Sequence, residues 1–240
     1  LGMLALLLDL AHPLYVWAIY ITFQPLSPMS WGSWVLLIVY GILLVSALVR
    51  LPESWPWLGE RVPALKKASD WFVGSPKRMR QLGVANIAFG IGVGIYTGIL
   101  LNTMVARPLW NTSVLPLLFL VSGLSAAAAA VHLATVVFPG RPAPRSLIGG
   151  LLAAMTQPLG PQPPEKRTVD TLVRADIVLL AVELVLIALL LMSLATSTLS
   201  QIEAVKLLFA GEYGLVFWVG VMAVGILVPV VLQALELSHR

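Results

Sequence analysis

The sequence predicts an all-α, polytopic bundle of membrane-spanning helices, about six spans with the first of them partial. Three observations carry that prediction. Hydrophobic residues make up 59% of the 240 and charged residues only 11%, whereas a soluble domain carries about a quarter charged. Mean hydropathy is +0.93, and several apolar runs reach the roughly twenty residues that cross a bilayer as a helix. Lys and Arg gather in alternate connections between those runs. Residues 1–240 are therefore expected to form a single integral membrane domain. The net charge of +4 lies between spans, where membrane topology accounts for it, so it is no sign of nucleic-acid binding.

Taken in order, the spans fall near 1–10 (partial), 31–49, 81–105, 113–138, 172–196 and 212–236. The chain opens on "LGMLALLL". That run lacks the basic flank and small-residue cleavage site of a signal peptide, so it reads as a start partway along a helix. Residues 12–28, with Pro13, Pro25 and Pro28 among aromatics, read as a loop or half-buried interfacial segment. The segment 61–73, "RVPALKKASDWFV", reads as a short helix lying in lipid headgroups. The proline-rich stretch 139–170 cannot form a regular span. Gly90, Gly94 and Gly98, spaced by four, make a small-residue face that allows close helix approach.

Orientation follows from counting basic residues. Arg50, Arg61, Lys66, Lys67, Lys77, Arg78 and Arg80 fall in the 50–80 connection. Arg141, Arg145, Lys166, Arg167 and Arg174 fall in 139–174, and Arg240 ends the chain. The alternate connections hold only Arg107 and Lys206. By the positive-inside rule the basic regions are cytoplasmic, and 11–30, 106–112 and 197–211 face outside. Trp17, Trp31, Trp34 and Trp110 then mark the outer interface, and Trp55, Trp57 and Trp71 the inner one.

Polar residues inside the spans are candidates for function, because ionisable groups in a bilayer cost several kcal/mol. Tyr96 lies in the third segment, with Asn102 and Thr103 nearer the surface. Ser122, Ser125 and His132 share one face of the fourth. Asp176 and Glu183, seven residues apart, project from one face of the fifth. Glu183 falls near mid-membrane and Asp176 near the inner surface, where it could be wet. Asp9, His12, Tyr96, Asn102 and Arg107 all fall toward the outer side and could converge into a polar pocket there. The sequence has no cysteine, so it cannot ligate an iron–sulfur cluster or form a disulfide. His12 and His132 fall at opposite faces, so a bis-histidine haem is not expected, nor is any other metal.

These stretches resemble those of the NrfD-like membrane subunits of polysulfide-reductase-type complexes, over most of the chain. "LDLAHP" followed by "SPMSWGSW" is similar to that family's Asp-Leu-Gly-Arg-Pro helix end and the start of its next span. "YTGILL…ARPLWN" resembles its middle signature. "LPLLFLVSGLSAAAA", "ADIVLLAVEL" and "GEYGLVFWVGVMAVGILVP" resemble the spans that follow. The resemblance implies a membrane anchor that binds menaquinone or ubiquinone near the extracytoplasmic face of a bacterial or archaeal plasma membrane. It implies a ferredoxin-like iron–sulfur partner subunit, and a molybdopterin catalytic subunit beyond that. It assigns Asp9 and Tyr96 to the quinone site, and Asp176 and Glu183 to an acidic helix linked with proton movement. His12 stands where the family has Arg, and Ala11 where it has Gly. A quinone-contacting histidine of an earlier helix has no counterpart here.

The expected function is therefore quinol exchange. The headgroup would bond to Tyr96 and to Asp9 or His12, with Asn102 and Arg107 nearby. Protons would move along Asp176, Glu183, Ser122, Ser125 and His132. The rival expectation is a proton-coupled small-solute transporter that uses Glu183 as its coupling site. It would need a substrate path open to both sides; internal symmetry between spans would favour it, and none is convincing.

Overall fold

The computed structural model of the chain describes residues 8, 13–15, 17–137 and 166–239. The expected partial first span, with Asp9 and His12, lies outside the described residues apart from Leu8, and so does most of the proline-rich 139–170 stretch. Every regular element within the described residues is helical.

A 3-10 turn (Pro13–Tyr15) and a single helical turn, α1 (Ala18–Ile21), precede the first long helix, α2 (Pro28–Ser54). The expected loop over 12–28 therefore contains two short helical pieces. α2 begins on a proline, whose missing N–H costs nothing at a helix start. The short helix expected over 61–73 is α4 (Pro63–Val73), and a further short helix, α3 (Pro56–Arg61), precedes it; each is opened by a proline. α5 (Pro76–Asn102), α6 (Leu115–Val137) and α7 (Lys166–Ala195) are the next long helices. α8 (Leu199–Phe209) is an eleven-residue helix inside what the sequence presented only as a connection. A capping box between Thr198 and Gln201 starts it, satisfying backbone donors that would otherwise be left open.

The last span is not one regular helix. Val216–Leu227 is π-helical, and α9 (Val228–His239) returns to α geometry. Pro229 sits at the junction. It cannot donate a backbone hydrogen bond, and its ring would crowd the carbonyl four residues back in an α-helix. A wider turn before it relieves that crowding.

Five helices are long and apolar enough to cross a membrane: Pro28–Pro52, Pro76–Asn102, Leu115–Leu133, Asp170–Ala195 and Val216–Ser238. Their outward faces are apolar, with Leu44, Ile87, Val178 and Met192 each more than 60% exposed. Such a surface is stable in lipid and not in water. The chain is a multi-pass membrane protein.

The long helices pack in sequence order: α2 on α5, α5 on α6, α6 on α7, with α9 returning against α7. Asn86 on α5 donates to the Ser46 hydroxyl on α2 at 2.8 Å, a polar clasp inside the membrane. Gly98 lets α5 meet the first turn of α6, because a Cβ there would lie 2.3 Å from the Pro116 Cα. Ser69 on α4 donates to the Val49 carbonyl at 2.7 Å, which ties the interfacial helix to α2. A buried cluster of Ile187, Phe217 and Ile226 joins α7 to the π segment.

Candidate functional site

Two polar groupings stand out, one toward each end of the bundle. The end that carries Arg50 to Arg80 is called the basic end.

The first grouping is at the opposite end, in the first turns of α2. Gly32 faces α5, and the Tyr96 ring fills the space where a side chain would be. A Cβ on Gly32 would lie 1.7 Å from the Tyr96 Cζ and 1.8 Å from its Oη. The hydroxyl end of Tyr96 thus rests on bare α2 backbone. Ser30 and Ser33 beside it are both buried. The Ser30 hydroxyl accepts from the Gln24 backbone N–H at 3.0 Å. The Ser33 hydroxyl donates to the Ser30 carbonyl at 2.8 Å. The first bond holds the incoming chain against the helix start, whereas the second is internal to α2. The Trp31 indole adds a second tie to the incoming chain by donating to the Pro25 carbonyl at 2.7 Å. Among the described residues the Tyr96 hydroxyl has no hydrogen-bond partner, although its ring is firmly seated.

Around this point the expected outer cluster is only partly assembled. Asn102 is half-buried at the end of α5, and Arg107 is exposed. The Arg107 guanidinium lies 5.6 Å from the centre of the Trp110 ring, within range for a cation–π contact. No hydrogen bond among the described residues links Tyr96, Asn102 and Arg107. Gln201 secures the surrounding connection by donating to the Asn111 carbonyl at 2.9 Å and, more weakly, to Pro108 at 3.4 Å. This clamp between α8 and the 106–112 connection is not signalled in the sequence, where the Thr-x-x-Gln pattern marks only the start of α8.

The second grouping lies in the half of the bundle nearer the basic end. Asp176, which the sequence allowed to be wet, is 2% exposed. Its depth comes from packing: α6 and α9 cover it from two sides. The Ser125 hydroxyl on α6 donates to Asp176 Oδ1 at 2.6 Å. Gln233 Nε2 on α9 donates to Oδ2. Farther toward the basic end, His132 Nε2 pairs with Glu236 Oε2 at 2.9 Å. Ser125 and His132 are seven residues apart on α6. Gln233 and Glu236 are three apart on α9. The two rungs therefore share one groove between the helices.

Of the expected proton-path residues, Asp176 and Ser125 are joined directly and His132 sits one rung away. Ser122 and Glu183 are half-buried, and no hydrogen bond among the described residues connects either to the rungs. Glu183 continues the α7 stripe formed by Val173, Asp176, Leu180, Ile187 and Leu194. Leu180, 4% exposed, stands between the two carboxylates. Gln233 and Glu236 were not singled out from the sequence. Their signal was two polar residues at helical spacing within an apolar span. Among the described residues no group of three His, Cys, Asp or Glu could hold a metal.

Among the described residues, then, this helical membrane protein has a tyrosine hydroxyl without a hydrogen-bond partner toward one end and a buried aspartate held by an amide and a hydroxyl toward the other. The chain belongs to the NrfD polysulphide reductase family, whose model matches residues 1–240. It is 29% identical over 237 residues to a polysulfide reductase polypeptide of Wolinella succinogenes, covering 97% of this chain and 66% of that one. It is 26% identical over 232 residues to the NrfD homolog of Haemophilus influenzae, covering 96% and 66%. A selenate reductase polypeptide of Mesobacillus selenatarsenatis is 31% identical over 147 residues, covering 53% of this chain and 34% of that one. The chain thus spans 66% of the length of the first two relatives. No solved structure matches it.

Proposed function

We propose that this chain is the quinone-binding membrane subunit of a respiratory oxidoreductase complex in a bacterial or archaeal plasma membrane, with its Tyr96 end at the extracytoplasmic face. The observation that carries this reading is the Tyr96 hydroxyl, seated on Gly32 in a membrane helix and without a hydrogen-bond partner among the described residues. Tyr96 is half-buried, so its hydroxyl is open to a ligand oxygen that would satisfy it. A phenolic O–H donates to a quinone carbonyl and accepts from a quinol hydroxyl, so one residue serves both redox states. Asp9, His12, Asn102 and Arg107 are the groups proposed to complete the polar surroundings. A bound quinone supplies the two-electron, two-proton chemistry; the protein orients it and handles protons.

The rest of the chain fits that division of labour. With no cysteine in the sequence, electrons pass to iron–sulfur clusters of a ferredoxin-like extracytoplasmic subunit, and from there to a molybdopterin catalytic subunit. Relatives are named for polysulfide and for selenate, which favours substrate choice in those other subunits. The rungs Ser125–Asp176–Gln233 and His132–Glu236 hold protons in the cytoplasmic half. Ser122 and Glu183 serve the stretch toward mid-membrane.

Tyr96→Phe tests the reading. In the purified complex it should lower quinol turnover about tenfold, the worth of one hydrogen bond of about 1–1.5 kcal/mol, with assembly and unfolding temperature unchanged. Turnover equal to wild type would make Tyr96 a packing residue and remove the quinone site from this end of α2.

A further inference from the structure

Gln233 is 9% exposed, and its two amide atoms are in opposite situations. Nε2 donates to Asp176 Oδ2. Oε1 is buried with no hydrogen-bond partner among the described residues. A buried amide left half satisfied is unfavourable, and the residue it touches explains why it is there.

As arranged, both Asp176 oxygens accept: Oδ1 from Ser125 and Oδ2 from Gln233. That set suits the carboxylate and not the acid. A protonated Oδ2 is a donor, and would face another donor on Nε2. Turning the Gln233 amide over about its last torsion removes the conflict, because Oε1 then accepts from the acid. The two ends of a primary amide have nearly the same shape, and its terminal torsion is soft. Nε2 then takes the buried place of Oε1, where no partner among the described residues meets it. We infer that Gln233 is a positioning residue whose amide turns over with the protonation of Asp176, so that a sealed site can hold the aspartate in either charge state.

Three helices bring polar and titratable groups to this site. α6 brings Ser125 and, farther along, His132. α7 brings Asp176, with Arg174 exposed nearby and Glu183 beyond Leu180. α9 brings Gln233 and Glu236. No cation touches the carboxylate among the described residues. The groups that meet it are therefore dipoles that can turn and not a fixed ion pair. The proton comes from water at the basic end. Asp176 goes from one negative charge to neutral, only an O–H bond forms, and release reverses both changes.

This inference rests on the proton-handling part of the proposed function and is independent of the quinone site. The test is infrared difference spectroscopy on the full chain in its complex, in lipid nanodiscs, carrying carbon-isotope-labelled glutamine, as the pH is lowered. A carboxylic acid carbonyl band should appear. With it, one labelled amide carbonyl band should shift to lower frequency as Oε1 gains a donor. Both changes should be lost in Asp176→Asn, and the amide change alone should be lost in Gln233→Leu. The Asp176→Asn comparison assigns the signal by itself if Gln233→Leu does not fold. An acid band lost in Asp176→Asn but unaccompanied by an amide shift would overturn the inference. So would an amide shift that survives Asp176→Asn, or the lack of any acid band assignable to Asp176. None of these results bears on Tyr96, whose own test stands apart.

Discussion

Gly32→Ala is expected to reduce quinol turnover by up to about tenfold, the full cost of losing the Tyr96 hydroxyl, while the protein still folds. The added methyl would sit 1.7 Å from the Tyr96 Cζ and 1.8 Å from its Oη. No compression absorbs an overlap of that size, so the ring must swing off α2. The obstacle is a side chain and not backbone, so the helices need not separate. Alanine is also the better helix former by about 1 kcal/mol, which offsets the repacking. The hydroxyl therefore moves while the helix stays, and a hydroxyl carried out of reach is worth no more than one that has been removed. Two residues acting on one hydroxyl should not add. In a Tyr96→Phe background, Gly32→Ala should cost much less than it does alone. The measurement is steady-state quinol oxidation or quinone reduction by the four members of this double-mutant cycle. Unchanged turnover in the single Gly32→Ala variant would mean that the position of the Tyr96 hydroxyl is irrelevant to the reaction.

Gly32 also shows where sequence reading reached its limit. The five apolar spans and the amphipathic segment between α2 and α5 were legible, because length, hydropathy and basic residues are local properties. So was the pairing of Ser125 with His132 on one face of α6, since helical spacing is local too. The contact between Gly32 and Tyr96 is not local. "SPMSWGSW" and "GIYTG" could each be marked as unusual, but neither states which helix its glycine or tyrosine faces. The same holds for Asp176. Its place near a helix end gives its depth along the axis, and says nothing of the α6 and α9 side chains that exclude water from it. The π segment was illegible for another reason: 216–227 is apolar throughout, so there is no polar stripe whose phase could reveal a change of pitch. Gln233 and Glu236 lie beyond it, on the α geometry that resumes at Val228. The face they present therefore depends on a register that the sequence does not display.

Of the three glycines spaced by four on α5, only one is expected to be intolerant of alanine. Gly90 has open space around it. A Cβ at Gly94 would meet the Leu120 Cδ1 at 3.1 Å, the movable end of a side chain. At Gly98 it would meet the Pro116 Cα at 2.3 Å, the Pro116 nitrogen at 2.5 Å and the Leu115 carbonyl carbon at 2.8 Å, all of them backbone. Gly90→Ala should therefore be neutral or stabilising by up to about 1 kcal/mol, the helix-propensity gain alone. Gly94→Ala should fall near zero, the same gain set against a small repacking. Gly98→Ala forces α5 away from the start of α6, an overpacking cost of about 1–3 kcal/mol or more, and it should lower the unfolding temperature clearly. Thermal unfolding of the three variants in one detergent gives the order directly, and equal midpoints would mean that the α5–α6 approach is looser than the close contact at Pro116 requires. Gly98 is also two residues from Tyr96, so parting the helices there shifts the hydroxyl as well. Gly98→Ala should then lose turnover at temperatures where it is still folded, whereas Gly90→Ala should keep it. A Gly98→Ala protein that turns over normally until it unfolds would separate the packing of α5 on α6 from the placement of Tyr96 on α2.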